Sequence, residues 1–169
     1  MAEPRIRPFR EGDESHVFDV CVRTGQGDPA ILADVYAAPY LRFDPSLAWV
    51  VDEGAGAEGY IIATADSADF ERFYRDEWVR GVEHDPLIAE VDDYPAHLHI
   101  DLLPRVQGSG YGRALIEVLV TELRARGIRG LHLRMDPTNI GAKAFYLRIG
   151  FAELSSSSPE NPVLGRRLD

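Results

Sequence analysis

Cysteine is almost absent from this sequence of 169 residues. The lone Cys21 excludes an intramolecular disulfide and any zinc site built from several cysteines, so no metal ligand set is expected. Lysine is as rare: Lys143 is the one lysine among 18 basic residues, a bias toward arginine that we read as genomic rather than functional. No stretch approaches the roughly 20 apolar residues of a membrane helix. The N-terminus, Met-Ala-Glu-Pro-Arg-Ile-Arg-Pro, has no basic region leading into an apolar run, the pattern of a secretion signal. A cytoplasmic protein with no membrane partner is therefore expected. With 45% hydrophobic residues, two Trp, seven Tyr and seven Phe, the chain is too apolar for a disordered one, and its length predicts one domain over residues 1–169.

Positive charge is also short, since 28 acidic residues face 18 basic ones for a formal net charge of −10. The deficit is uneven. Residues 1–96 carry 21 acids and 8 bases, whereas residues 97–169 carry 7 acids and 10 bases. Nucleic acid is a poor partner for such a chain, because that affinity begins with Lys/Arg neutralisation of phosphates. A small polyanion suits the second half.

The apolar pattern predicts alternating elements. Val17, Phe18, Cys21 and Val22 fall at helical spacing in residues 11–23, with Asp13 as the cap and Gly25 as the stop, which makes core packing the expected role of Cys21 and nucleophilic catalysis the remote one. A turn-rich loop over residues 24–29 leads to a short helix over residues 30–38 that ends near Pro39. Residues 47–51 and 60–64 read as a β-hairpin around Asp52-Glu53-Gly54-Ala55-Gly56. Residues 67–91 predict an irregular helix followed by a loop through Pro86. Residues 97–103 alternate as a strand ended by Pro104, and Leu115, Val118, Leu119 and Leu123 mark a helix ended by Gly127. Leu131, Leu133 and Met135 form another strand, Asn139 caps a helix bearing Ala142, Phe145, Tyr146 and Ile149, and Gly150 terminates it. Residues 151–154 and 163–168 are closing strands.

The most informative segment is Gln107-Gly108-Ser109-Gly110-Tyr111-Gly112-Arg113, between a strand and a helix. Glycines let a ligand approach the backbone without meeting a Cβ, and the helix start offers unpaired N–H groups and a positive dipole end to phosphate, with Arg105 and Arg113 at the rim. A tight turn with no ligand is the competing account. The spacing Gly-x-Gly-x-Gly, late in the chain, fits neither the dinucleotide fingerprint nor the Gly-Lys-Ser/Thr of a nucleoside triphosphate loop.

That loop resembles the Gln/Arg-x-x-Gly-x-Gly/Ala motif of the GNAT N-acetyltransferase superfamily, and Asn139, Ala142, Phe145, Tyr146, Gly150 and Phe151 resemble its downstream Asn-x-x-Ala-x-x-Phe-Tyr-x-x-x-Gly-Phe signature. More narrowly, Arg23-Thr-Gly-Gln-Gly-Asp-Pro29, Ala38-Pro-Tyr-Leu41 and Tyr94-Pro-Ala-His-Leu-His-Ile-Asp101 are similar to bacterial acetyltransferases related to the C-terminal acetyltransferase-like domain of O-GlcNAcase. The resemblance implies an α/β (α+β) GNAT fold: a mixed, mostly antiparallel, splayed central sheet of about six to seven strands flanked by helices. It implies acetyl-CoA as cofactor. Backbone groups of Asp101, Leu102 and Leu103 would pair with the pantetheine arm, Gln107 and the amides of Gly108, Ser109, Gly110, Tyr111, Gly112 and Arg113 would take the pyrophosphate, and Asn139 would help hold the coenzyme.

The chemistry that follows is direct acetyl transfer to a primary amine. Tyr146 matches the position whose hydroxyl faces the coenzyme sulfur and would protonate the leaving thiolate, against the alternative that its ring only packs. His97 and His99 share a strand face, and histidine is the side chain whose unperturbed pKa lies nearest neutral pH, so either is a candidate base, or both are hydrogen-bonded inside the sheet. Asp101, on the same face, would orient His99 or bind substrate. Asp28, Tyr36 and Tyr40 lie in or after the loop that lines the acceptor pocket in this superfamily. The expected acceptor is a small-molecule or peptide amine, and the expected assembly a monomer or a homodimer, for which the final strand could pair between subunits. The reading from another class is a catalytically silent coenzyme A-binding module, because the related animal domain lacks the coenzyme loop that is intact here.

Overall fold

The computed structural model describes residues 3–78 and 85–169. Its strands are β1 (Arg5–Pro8), β2 (Ala48–Asp52), β3 (Ala57–Thr64), β4 (Ala96–Leu102), β5 (Gly130–Arg134), β6 (Ala152–Glu153) and β7 (Val163–Arg167). They form one sheet in the order β1-β2-β3-β4-β5-β7-β6, antiparallel throughout except where β4 meets β5. The helices are α1 (Glu14–Thr24), α2 (Leu32–Tyr36), α3 (Ala38–Phe43), α4 (Ser67–Phe73), α5 (Tyr111–Ala125) and α6 (Ile140–Arg148), with a π-helical turn at Tyr74–Trp78 continuing α4.

Strand alternation divides the core into two layers. On one face Ile61, Ala63 and Leu98 pack with Leu115, Ile116, Leu119, Val120 and Leu123 of α5. On the other, Tyr60 and Ile62 pack with Val17, Val20 and Cys21 of α1, Tyr40 and Leu41 of α3, and Phe70 of α4. Cys21 is buried among these apolar groups, as its helical spacing predicts. The same alternation turns His97, His99 and Asp101 of β4 toward the α1 and α3 layer: Tyr40 lies beside both histidines and Tyr60 reaches Asp101.

Three local expectations are corrected. Asp13 makes no side-chain cap bond to α1. Arg7 donates to both of its carboxylate oxygens at 2.7 Å and the Arg10 N–H donates at 2.8 Å, so the carboxylate pins the end of β1 to the turn before α1. Arg7 also donates to Asp52 at 2.7 Å. Pro39 does not end a helix: the break falls at Ala37, and Pro39 sits in the first turn of α3, where its missing N–H leaves no intrahelical bond unmade. The hairpin's second strand begins at Ala57 rather than Tyr60 because the tight turn at Gly54 and Gly56, both with positive φ, is completed early. The loop expected after residue 78 lies partly outside the described residues.

Between β4 and β5 the parallel register runs over Ala96↔Leu131 and His97↔His132, and stops. On its other edge β4 stays paired with β3 as far as Leu102. The two strands therefore part company halfway along β4. The site occupies that gap.

Candidate active site

A cleft of about 900 Å³ opens where β4 leaves β5. Its floor is Ile100, Asp101 and Leu102 of β4, one wall is the glycine loop and α5, and the opposite wall is α6 with Ala142, Phe145 and Tyr146. Arg23 and Thr24, at the end of α1, close it from the side.

Gly110 is the N-cap of α5 with φ +88°, and Gly108 has φ +73°. No atom lies within 4 Å of a Cβ built on either, so side chains there would occupy open space at the cleft mouth. The first N–H groups of an α-helix have no intrahelical acceptor. Those of α5 thus meet the cleft at the positive end of a helix of 15 residues, which fits a pyrophosphate. Gly112 packs against Leu102 and Phe145, where a Cβ would come within 3.3 Å and 3.5 Å. Here the glycine serves the approach of α5 to β4 and α6.

The structure gathers most of the expected coenzyme residues. Asp101, Leu102, Gln107, Gly108, Gly110, Gly112, Arg113, Asn139 and Tyr146 line the cleft. Leu103, Ser109 and Tyr111 do not line it. Leu103 is buried with the α1 layer and its N–H donates to Glu58 O, while the Tyr111 hydroxyl donates to Pro4 O at 2.9 Å and ties the N-terminal segment to α5. Gln107 turns its amide back onto Leu102 O at 2.7 Å, and Asn139 caps α6 by accepting from the Ala142 N–H at 3.0 Å. Arg105 pairs with Glu58 and Glu53 rather than standing at the rim.

Tyr146 is 9% exposed, on the cleft wall. Burial, with the charge of Asp101 second, holds its phenol well above the ordinary value and so keeps it protonated. Asp101 is the most perturbed acid of the cleft. Burial lifts its carboxyl to about 6, against the hydrogen bond from Tyr60 that lowers it; the Thr24 hydroxyl, whose hydrogen goes to Val20 O at 2.8 Å, lies beside it. The Tyr60 hydroxyl donates to Asp101 Oδ2 at 2.6 Å. The sequence marks Tyr60 only as a strand residue; its link to the site is cross-strand register, since Tyr60 and Asp101 are partners in the β3–β4 ladder.

The two candidate histidines sit further along β4, in a small second cavity of about 40 Å³ shared with Tyr40, Ser67 and His132. The Ser67 hydroxyl donates to Pro95 O at 2.7 Å and lies 2.6 Å from His97 Nδ1, while the Tyr40 hydroxyl lies 2.7 Å from His97 Nε2. With its one hydrogen directed to Pro95, Ser67 accepts from Nδ1–H, and Tyr40 donates to the Nε2 lone pair. Both ring nitrogens of His97 are thus engaged within the protein. His99 packs against Tyr40 and Tyr36, with ring centroids 5.2 Å and 5.9 Å away. Tyr36 is 43% exposed, and His99 beside it is partly buried. Asp28 is turned to the loop, where it accepts from the Ala30 N–H at 3.0 Å. Across the cleft mouth Gln26 donates to Asp136 at 2.9 Å, linking the loop after α1 to the loop before α6.

Residues 26–151 match the Acetyltransferase (GNAT) family. The chain belongs to that family. The crystal structure of SsHAT is similar at 38% identity, covering 99% of this chain and 100% of the other with a TM-score of 0.89. Rat (Rattus norvegicus) protein O-GlcNAcase is 20% identical over 200 residues, covering 96% of this chain; the chain spans 22% of that protein's length. The PaiA N-acetyltransferase of Thermoplasma acidophilum, solved in complex with coenzyme A, shares the fold at 14% identity with a TM-score of 0.69, covering 98% of this chain and 99% of its own. The splayed sheet with its glycine loop is thus the GNAT fold. Among the described residues no helix is long and apolar enough to cross a membrane.

Proposed function

We propose that this protein is an acetyl-CoA-dependent N-acetyltransferase that passes the acetyl group directly to a primary amine. The observation that carries the reading is Tyr146, a buried and protonated phenol on the wall of the cleft between β4 and β5, beneath the amides of the glycine loop. The glycine loop and the α5 N-terminus hold the pyrophosphate, the open edge of β4 aligns the pantetheine arm, and the thioester comes to rest beside Tyr146. Tyr146 then donates its proton to the departing thiolate.

The acceptor arrives from the α1 and α3 side, past Tyr36 and His99. Transfer without a covalent enzyme intermediate fits Cys21, which is buried in the core with its thiol directed to Leu32 O at 3.8 Å. Burial also raises its pKa, away from the thiolate a nucleophile needs. The resemblance to O-GlcNAcase supports the silent coenzyme-binding module as the second reading, whereas the intact glycine loop and Tyr146 favour the enzyme.

The test is calorimetric titration with acetyl-CoA, followed by thiol release over a panel of primary amines. Binding with turnover supports the enzyme. Binding without turnover on any amine supports the silent module, and absence of binding rejects both.

A further inference from the structure

We infer that Asp101 is the general base of this site, taking the proton of the acceptor ammonium, and that Tyr60 is the residue that positions its carboxylate. The inference rests on the transferase reading above. Asp101 lies on the cleft floor in the stretch where β4 has left β5, and Tyr146 lines the same cleft. Its side chain leaves the α1 face of the sheet, the side from which the acceptor arrives, so acid and base approach the reacting carbon from different sides. His97 is spent on the Tyr40 and Ser67 contacts, and both histidines open into the second cavity rather than the cleft.

The surroundings suit a base. From α1, Cys21 and Thr24 face the carboxyl; from β3, Tyr60; on β4 itself, His99 two residues away; from α6, Tyr146. The cations that line the cleft, Arg23, Arg113 and Arg148, are exposed at its rim. The carboxyl's lift to about 6 leaves it ionised at neutral pH yet more basic than an ordinary aspartate. Tyr60 donates to Oδ2, which leaves Oδ1 for the substrate proton.

The protons balance. Asp101 takes one from the ammonium, freeing the nitrogen lone pair to form the C–N bond as the C–S bond breaks. Tyr146 gives its proton to the thiolate and regains one from the acylated nitrogen. Asp101 then releases its proton to solvent, so one proton is produced for each amine acetylated.

The experiment is a pH profile of kcat/KM by thiol release for the wild type, Asp101→Asn, Tyr60→Phe and His99→Ala, with acetyl-CoA binding measured on each. Expected is an acidic limb near pH 6 in the wild type that persists in His99→Ala. Asp101→Asn should lose the limb and about 10²-fold to 10⁴-fold in rate while still binding acetyl-CoA. Tyr60→Phe removes a hydrogen bond that favours the carboxylate, so its limb should move to higher pH. Retention of rate and limb in Asp101→Asn, or loss of the limb in His99→Ala, overturns the proposal while the transferase reading stands. Should Asp101→Asn fail to fold, an unmoved limb in Tyr60→Phe overturns it. A wild type that binds acetyl-CoA and turns over no amine rejects the transferase reading, and the proposal with it.

Discussion

Tyr40 gives its phenolic hydrogen to His97 across 2.7 Å, from the first turns of α3 to the middle of the sheet. That contact makes His97 a joint between layers. His97→Ala should leave the buried Tyr40 hydroxyl without its His97 partner, at a cost of about 1–3 kcal/mol, while Ser67 keeps its bond to Pro95 O. Thermal unfolding should show it as a fall in Tm of about 2–4 °C per kcal/mol, with the pH dependence of turnover unchanged. A variant with wild-type Tm and an altered pH profile would return His97 to the chemistry.

Tyr146→Phe deletes one hydroxyl and keeps the ring that packs on Phe145 and Phe151. Turnover should fall by about 10²-fold to 10⁴-fold, the range for a lost general acid, while calorimetric affinity for acetyl-CoA stays near wild type. Equal turnover in the two proteins would leave the ring with packing alone.

Gly110→Ala places a methyl group in a left-handed N-cap. The backbone cost is about 1–2 kcal/mol, and the added methyl enters the open space at the cleft mouth. Acetyl-CoA affinity should drop by more than the loss in stability explains. Gly127→Ala, also at positive φ but at the far end of α5, is the control: it should lower Tm and leave affinity unchanged.

Acid should loosen the N-terminal segment. Arg7 lowers the pKa of Asp13 and Asp52, chiefly through its hydrogen bonds. For depressed carboxyls the stabilisation is complete above the unfolded-state value near 4 and is lost as pH falls through the lower folded-state values. Arg7→Met should cost about 3 kcal/mol near pH 7 and flatten the fall in stability below pH 4, measured by urea unfolding at a series of pH values. An acid limb as steep as that of the wild type would show that other carboxylates govern it.

Glu90 is a second acid-sensitive point. Hydrogen bonds from Ser155 and Ser156 bring its carboxyl down to about 2. Glu90→Gln should therefore destabilise the protein at pH 7 and differ least from wild type below the folded-state value. Hydrogen exchange of residues 155–158 reports the local effect.

Local signals carried much of this structure and long-range ones did not. The glycine loop, Asn139 and Gly150 announce themselves because their conformations are demanded within a few residues of chain. Asp13 read as a helix cap because a cap is a local device, yet its partner, Arg7, lies on the preceding strand. Asp101 was legible as a strand acid beside two histidines. Its chemistry was not, since Tyr60 and Thr24 reach it from 41 and 77 positions away in the chain. Burial and cross-strand register decided which of three titratable residues on one strand face meets the cleft.

The parting of β4 from β5 has a mechanical side. Strands β1 to β4 and strands β5, β7 and β6 form two plates that share two rungs of ladder, with Gln26 and Asp136 as a clasp at the open end. A ligand lying along the seam stands in for the missing rungs and acts as mortar between the plates. Occupancy of the cleft and stiffness of the sheet would then be a single variable.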